Sequence, residues 1–290
     1  MKQLRKTIPA LVLAIAGLTQ VPAYAIDTDP LDFVAPKAGV SVLGLYYGNW
    51  QSDKQYSQGK QVGNNSIDLN YGVATYVKFH EIAGYVVGTK IVVPVSHLEV
   101  SPSGGGHTSG SGVGDPTFVF PVWFYSNAAT RTHFGVATRV QVPWGKYDKN
   151  AAINPGANRY TFVVQPGFTT GLTEKLSLDL VGDVQLFGEN NDIAGGGSLE
   201  QKPLYSLQTH LTYSIVPGLD ASIGAYKYIG GETKTRGINN SDKTDTTTAI
   251  ASLGYWFTGA DNFLVQYRQD TSVENGAKFS GLQLRYLHVF

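Results

Sequence analysis

Stretches of roughly 9 to 15 residues in which apolar and polar side chains alternate recur along almost the whole chain, bounded by Gly, Asn, Asp, Ser and Pro clusters. Nothing else in the sequence limits the fold as strongly. Successive side chains of a strand point to opposite faces, so each stretch reads as a strand with one apolar and one polar side. In 203–216, Tyr205, Leu207, Leu211, Tyr213 and Ile215 line one side, and Ser206, Gln208, His210, Thr212 and Ser214 the other. In 176–186, Leu176, Leu178, Leu180, Val184 and Leu186 oppose Ser177, Asp179, Asp183 and Gln185. Segment 263–270 sets Phe263, Val265 and Tyr267 against Gln266, Arg268 and Asp270. Segment 66–78 sets Ile67, Leu69, Tyr71, Val73 and Val77 against Asp68, Asn70 and Lys78. A soluble barrel hides its apolar faces inside, and a lumen is too small for so many Tyr, Leu and Phe side chains. Lipid outside and a polar lumen inside fits the pattern, and backbone groups in hydrocarbon must all be paired, so the sheet has to close.

About twelve strands are expected, near 38–50, 66–78, 83–96, 115–126, 132–145, 159–172, 176–190, 203–216, 220–231, 246–258, 263–270 and 278–290. Their connections alternate between short (80–82, 127–131, 173–175, 217–219, 259–262) and long (51–65, 97–114, 146–158, 191–202, 232–245, 271–277). In an up-and-down barrel every second connection lies on the same rim, so short turns gather on one side and long loops on the other. The expected fold is therefore all-β: a transmembrane antiparallel up-and-down β-barrel. A secreted β-sandwich shares the regular short strands, but its outward faces are polar. Trp50, Trp123, Trp144 and Trp256 lie near expected strand ends, as do Tyr255, Phe257, Tyr286 and Phe290, where amphipathic rings favour the bilayer boundary.

Both ends of the chain agree with export to a membrane. Lys2, Arg5 and Lys6 precede a short apolar run from Ile8 to Leu18, and Ala23-Tyr24-Ala25 is a small-x-small cleavage site. Residues 1–25 read as a signal peptide, 26–37 as a periplasmic segment or partial plug, and 38–290 as an outer-membrane barrel. The segment 26–37 is too irregular for a strand; in the plug reading Leu31 and Phe33 pack in the lumen, and in the other it is a tail. At the far end, Phe290, Tyr286, Leu284 and Leu282 share one strand face, with Gln283 and Arg285 on the other. This terminus resembles the last strand of bacterial outer-membrane barrels, and the resemblance implies that these four residues are what the barrel-assembly machinery reads. His288 stands where a further apolar residue is usual.

The chain has no cysteine, which excludes disulfides, thiolate catalysis and Cys-ligated zinc. Its 22 basic and 22 acidic residues leave no net charge, and no basic face for a nucleic acid is evident. By strand parity the inward charges include Asp68, Lys90, Arg139, Arg159, Asp179, Asp183, Glu189, Arg268, Asp270 and Arg285, with His210 beside them. Those outside Glu189 and Asp270 are the candidates for a solute path. Both signs occur, whereas an ion-selective pore is expected to show one dominant sign. A polar constriction passing uncharged or amphipathic solutes fits better.

Four motifs follow in order: Gly112-Val-Gly-Asp-Pro-Thr-Phe118, Pro143-Trp-Gly-Lys-Tyr-Asp148, Asn158-Arg-Tyr-Thr-Phe162 with Pro166, and Leu178 to Glu189-Asn190. In their order and spacing the chain resembles the outer-membrane family of the MetA pathway of phenol degradation, over roughly 38–290. The resemblance implies a transporter-like barrel associated with aromatic compounds, with no catalytic residues, metal or cofactor. Read on their own residues, Gly114-Asp115-Pro116 is a bend, a backbone-bonding carboxylate and a strand start. Gly104-Gly105-Gly106-His107 lacks the Lys and helix of a phosphate loop. An enzyme needs a nucleophile and base oriented by a third group, and no such motif surrounds His80, His97, His107, His133, His210 or His288. The expected partners are outer-membrane lipid, the assembly machinery and a small-molecule solute taken up passively. The alternatives are a non-conducting structural or surface-receptor barrel and an outer-membrane lipid hydrolase.

Overall fold

The computed structural model describes residues 27–290, so the signal-peptide reading of 1–25 lies outside it. Twelve long strands close into one antiparallel barrel. They are β1 (Ser41–Ser52), β2 (Ser66–Ile82), β3 (Tyr85–Ser101), β4 (Thr117–Asn127), β5 (Thr132–Gln141) and β6 (Thr161–Gly171), followed by β7 (Leu176–Phe187), β8 (Leu204–Val216), β9 (Leu219–Gly230), β10 (Thr244–Trp256), β11 (Asp261–Val273) and β12 (Ser280–Val289). Each pairs with its neighbours in the chain. The seam is closed by β1 against β12, from Val42↔Val289 to Gln51↔Ser280. Closure leaves no edge whose donors and acceptors face lipid. The β2–β3 hairpin turns through Ala83 and Gly84, both at positive φ (52° and 81°), as a tight two-residue turn requires. Its strands run further than the sequence pattern suggested.

The alternation of connections is as expected, with turns at 83–84, 128–131, 172–175, 217–218 and 257–260 on one rim and longer loops on the other. One wall departs from regularity. The outer half of β3 pairs with a short strand, Thr108–Val113, and its inner half with β4. Between these two partners the chain bends at Gly114-Asp115-Pro116, where the Gly114 N–H donates to the Pro94 carbonyl (2.9 Å). Proline has no N–H to continue a ladder, so the bend falls here.

Face parity follows the expectation on β7, β8 and β11. Leu180, Leu186, Tyr205, Leu207, Tyr213, Phe263 and Tyr267 are exposed on the outside, while Asp179, Asp183, Gln208, His210, Gln266, Arg268 and Asp270 are buried within. On β2 the parity is reversed. Ile67, Leu69 and Val77 point inward and are buried. Asp68, expected in the lumen, projects from the outer surface, accepting hydrogen bonds from Asn49 (3.1 Å) and Gln51 (2.8 Å). The reason is strand length. β2 and β3 have 17 residues each, whereas about 9–11 tilted residues cross the hydrocarbon. The outward residues midway along β2 are Gly72, Ala74 and Tyr76, which suit lipid, and the polar ones lie toward the ends. Alternation therefore fixed the two faces of β2 but not which one looks inward.

Two tryptophans expected at the bilayer boundary are also inside. Trp50 joins Ile67, Leu69, Leu98, Val100, Ile153 and Phe279 in a buried cluster near the long-loop rim. Trp123 packs edge-on against Phe79, with ring centres 5.8 Å apart, near the opposite rim. Glu189, expected inward, is exposed in the loop after β7. At the C-terminus Leu282, Leu284 and Phe290 are exposed on the outer face. Tyr286 donates a hydrogen bond to Asp261 (2.7 Å) on β11.

Glycine is required at the seam. Gly281 lies opposite Trp50, and a Cβ there falls within the Asn49 carbonyl oxygen and 2.7 Å from the Trp50 Cα. Gly281→Val is expected to destabilise the barrel by about 1–3 kcal/mol, read as a lower urea midpoint for loss of the folded band on an unheated gel. An unchanged midpoint contradicts this account of the seam.

Candidate functional site in the barrel lumen

The inner wall is dominated by polar side chains. Gln165, Gln185, Gln208, Gln266 and Gln283 are buried there alongside the charges. A lumen lined this way needs partners for its donors and acceptors, and much of that demand is met by the residues preceding β1.

Residues 27–36 run along the inside of the wall. The Asp32 N–H bonds to the Asp29 carbonyl (3.2 Å) and the Asp29 N–H to the Asp32 carboxylate (3.0 Å), which folds 29–32 into a turn. Leu31 occupies positive φ (67°) within it. The turn's free backbone groups then bond to the barrel. The Thr28 N–H donates to Gln208 (3.0 Å), Leu31 N–H to Asp179 (3.0 Å) and Ala35 N–H to His133 (3.3 Å), and the Phe33 carbonyl accepts from the Trp123 indole (2.9 Å). Tyr226 donates to the Thr28 carbonyl, which is also 3.2 Å from His210 Nε2. His210 Nε2 also lies 2.8 Å from the Tyr226 hydroxyl, so the three groups form one cluster. Phe33 is buried among Val92, Val119, Ala137 and Val181. Its ring lies flat over Gly167, where any Cβ would occupy the space of the ring.

Charge fixes the same residues more tightly. Arg268 pairs with Asp27 (2.6 Å) while its guanidinium lies over Trp50 (4.8 Å) and Tyr226 (5.0 Å). Arg285 reaches Asp29 (2.8 Å), Asp32 (3.4 Å) and the Asn262 side chain (3.1 Å). Burial pushes the Asp27 carboxyl up from its ordinary range, and Arg268 and the Tyr228 hydroxyl oppose that. Asp183 is a second hub, accepting from Gln165 (3.3 Å), Gln185 (3.2 Å), Gln208 (3.2 Å) and the Ser206 hydroxyl.

Empty space remains on both sides of this segment. One cavity, with about 650 Å³ of unfilled volume including its mouth, lies between Asp32 and the wall carrying Tyr46, Tyr71, Lys90 and Arg139. Another, with about 560 Å³, lies between Leu31 and Thr212, Trp256, Asn262 and Leu264. Toward the long-loop rim a smaller space of about 190 Å³ lies beside Trp50, Asp270 and Phe279, where the apolar cluster packs. Ile153 reaches that cluster from the loop 142–160. This loop is tied down by Asp115, which accepts from the Gly145 (2.8 Å) and Ala157 (2.6 Å) N–H groups. Asp115 thus bonds backbone 30 and 42 residues away, rather than its own neighbours as the motif alone suggested.

Of the residues expected to face the lumen, Arg139, Asp179, Asp183, His210, Arg268 and Arg285 are buried on inward faces, and Lys90 lines the larger cavity. Arg159 is buried in the loop just before β6, bonded to Gln201 and stacked 4.7 Å from the Phe187 ring. Asp68 is the exception, outside the barrel. Sequence reasoning missed Asp27, Asp29 and Asp32 as partners of Arg268 and Arg285. The signal was present, since three acids in six residues precede a barrel whose lumen holds several cations. It also placed Tyr71 on the lipid-facing side, whereas its ring points inward, and did not single out Tyr46 or Tyr226, which reach the lumen as well.

The family model described as the MetA pathway of phenol degradation matches residues 51–286. The chain belongs to this family. Among solved structures, an outer membrane channel from Pseudomonas putida F1 is 28% identical, with a TM-score of 0.87 over 91% of this chain and 100% of that one. The transport unit of the autotransporter AIDA-I from Escherichia coli shares 9% identity and a TM-score of 0.60 over 99% and 100% of the two chains. A mutant of the monoaromatic hydrocarbon channel TodX shares 12% identity and a TM-score of 0.50 over 88% and 90%. These last two likenesses concern the fold alone. No curated protein matches the sequence. The protein is a barrel of the bacterial outer membrane, of the channel type.

The absence of native cysteine allows a single reporter thiol. In Thr28→Cys, labelling by a water-soluble maleimide is expected to be slow, because Thr28 is buried. Adding Arg285→Met leaves Asp29 without its cation, a loss of about 3–5 kcal/mol for a buried pair. Labelling should then speed up at least about tenfold. Equal rates in the two proteins would show that the ion pair does not hold the segment.

Proposed function

We propose that this protein is a passive outer-membrane channel for small, weakly polar molecules, aromatic compounds among them, with residues 27–37 as a plug in its lumen. The observation that carries the reading is the seating of that segment. It is held by polar and ionic contacts to the wall, with cavities on either side, so movement of one short stretch joins the spaces into a path. The related Pseudomonas putida protein is an outer membrane channel, and TodX is a channel for monoaromatic hydrocarbons. The lumen's mixed charges favour no ion of one sign, and its apolar cluster near the long-loop rim offers an entry for weakly polar solutes. Lys90, Arg139, Asp179, Asp183, His210, Arg268 and Arg285 line the proposed path, and Arg159 borders it from the loop before β6. No enzymatic role belongs to this reading.

Deleting residues 27–37 should raise single-channel conductance and the uptake of benzyl alcohol into proteoliposomes several-fold. If the intact and shortened proteins both fail to pass benzyl alcohol and show no conductance, the barrel is a surface protein instead. The exposed face of Leu282, Leu284, Tyr286 and Phe290 is proposed as the signal for the barrel-assembly machinery. Removing Phe290 should lower the folded protein recovered from outer membranes, without changing its export to the periplasm. Undiminished recovery would remove this role from the terminal aromatic.

A further inference from the structure

Most lumenal ions have their bonding groups engaged in place, and two do not. Asp27 is matched by Arg268, and Asp29 and Asp32 by Arg285. Asp179 accepts from the Leu31 N–H and Asp183 from four side chains. Against this, Lys90 faces the larger cavity, and among the described residues no hydrogen bond or ion pair engages its ammonium. Arg139 is buried, and one of its terminal nitrogens bonds to Gln165. Its Nε is buried with no partner.

These two cations are adjacent. Lys90 on β3 lies opposite Val119 on β4, and Val119 lies opposite Arg139 on β5. Directly opposed residues of an antiparallel ladder share a face, so all three point inward in one row. Two strand spacings separate the cations, about 10 Å at the backbone. Long side chains from both reach the space over Val119. The cavity they share is mixed in character: Val73, Val92 and the Tyr46 and Tyr71 rings line it, and so do Asp27, Asp29 and Asp32. Asp32 is engaged with the Asp29 N–H and Arg285, Asp29 with Arg285 and Asp27 with Arg268. None of these carboxylates accepts a direct bond from Lys90 or Arg139, and an anion placed between the two cations can accept a hydrogen bond from each.

We propose that the Lys90–Val119–Arg139 row is a binding subsite for the carboxylate of a small organic acid, whose apolar body lies against Val73 and Val92. The inference rests on the channel reading and narrows its solutes to include aromatic and other apolar carboxylates. The row supplies a charge-assisted hydrogen bond from each flank, and the valines supply an apolar floor. Neutral molecules of the same shape gain only the floor.

The test compares benzoate with benzamide, a neutral molecule of like size, at mildly alkaline pH where benzoate is ionised. Equilibrium dialysis against the purified full-length protein should show benzoate bound and benzamide bound at least about tenfold more weakly, the difference expected of one or two charge-assisted bonds. In proteoliposomes the ratio of benzoate to benzamide flux should fall about tenfold in Lys90→Met and be retained in Lys90→Arg. Lys90 makes no direct hydrogen bond or ion pair among the described residues, so its replacement is the mild variant, and gel mobility before heating reports that it has folded. Should Lys90→Met fail to fold, the dialysis of the wild-type protein decides alone: equal binding of the two compounds overturns the subsite. If benzamide passes and the flux ratio is unchanged in folded Lys90→Met, the subsite is wrong while the channel stands. If neither compound passes the intact protein or the protein lacking 27–37, both readings fall.

Discussion

Hydrocarbon accepts no hydrogen bonds, and every other feature of this protein is arranged around that fact. The pairing of β1 with β12 removes the sheet's edges. With the edges gone, the only variable left to the sequence is which side chains face each solvent. Outside, Leu, Phe and Tyr cover the wall. Inside, glutamines and opposed charges form a medium less polar than water and far more polar than lipid. In such a medium an ion pair is neither as weak as at a surface nor as costly as in a dry core. That intermediate setting is where Arg268 and Arg285 can each hold a carboxylate from a segment that has no regular structure of its own.

The fold was legible because its rule has period two and is repeated. β7 and β8 could be assigned residue by residue, since Asp179, Asp183 and His210 alternate with leucines and tyrosines along a length that just crosses the membrane. β2 was misread for the same reason that β7 was read well. Its alternation is equally clean, but the strand continues beyond the bilayer, where Asp68 can face outward at little cost. Parity is decided by charge only inside the hydrocarbon, and nothing in 66–78 marks where the hydrocarbon begins. Trp50 and Trp123 were misplaced by a statistical preference for the interface that a specific packing site overrides.

The candidate site was less legible than the fold. Inward charges were found from their own strands, but their partners lie more than two hundred residues away: Asp27 from Arg268 and Asp29 from Arg285. No local pattern encodes such a pairing. The acids at 27, 29 and 32 carry no periodicity because the backbone there is a turn with Leu31 at positive φ. The seat of Phe33 was equally hidden, for it is defined by a missing side chain at Gly167, on a strand whose alternation reads normally through the gap.

The segment 27–36 is joined to β1 through only residues 37–40. A ligand on so short a tether is held near its seat at an effective concentration in the millimolar range or above. In the proposed plug, its departure and return are therefore unimolecular events, independent of how much protein the membrane contains. A solute arriving from outside competes with a neighbour that is never diluted away. Whatever enters the lumen must either fit the spaces beside the tethered chain or bind strongly enough to offset that local excess.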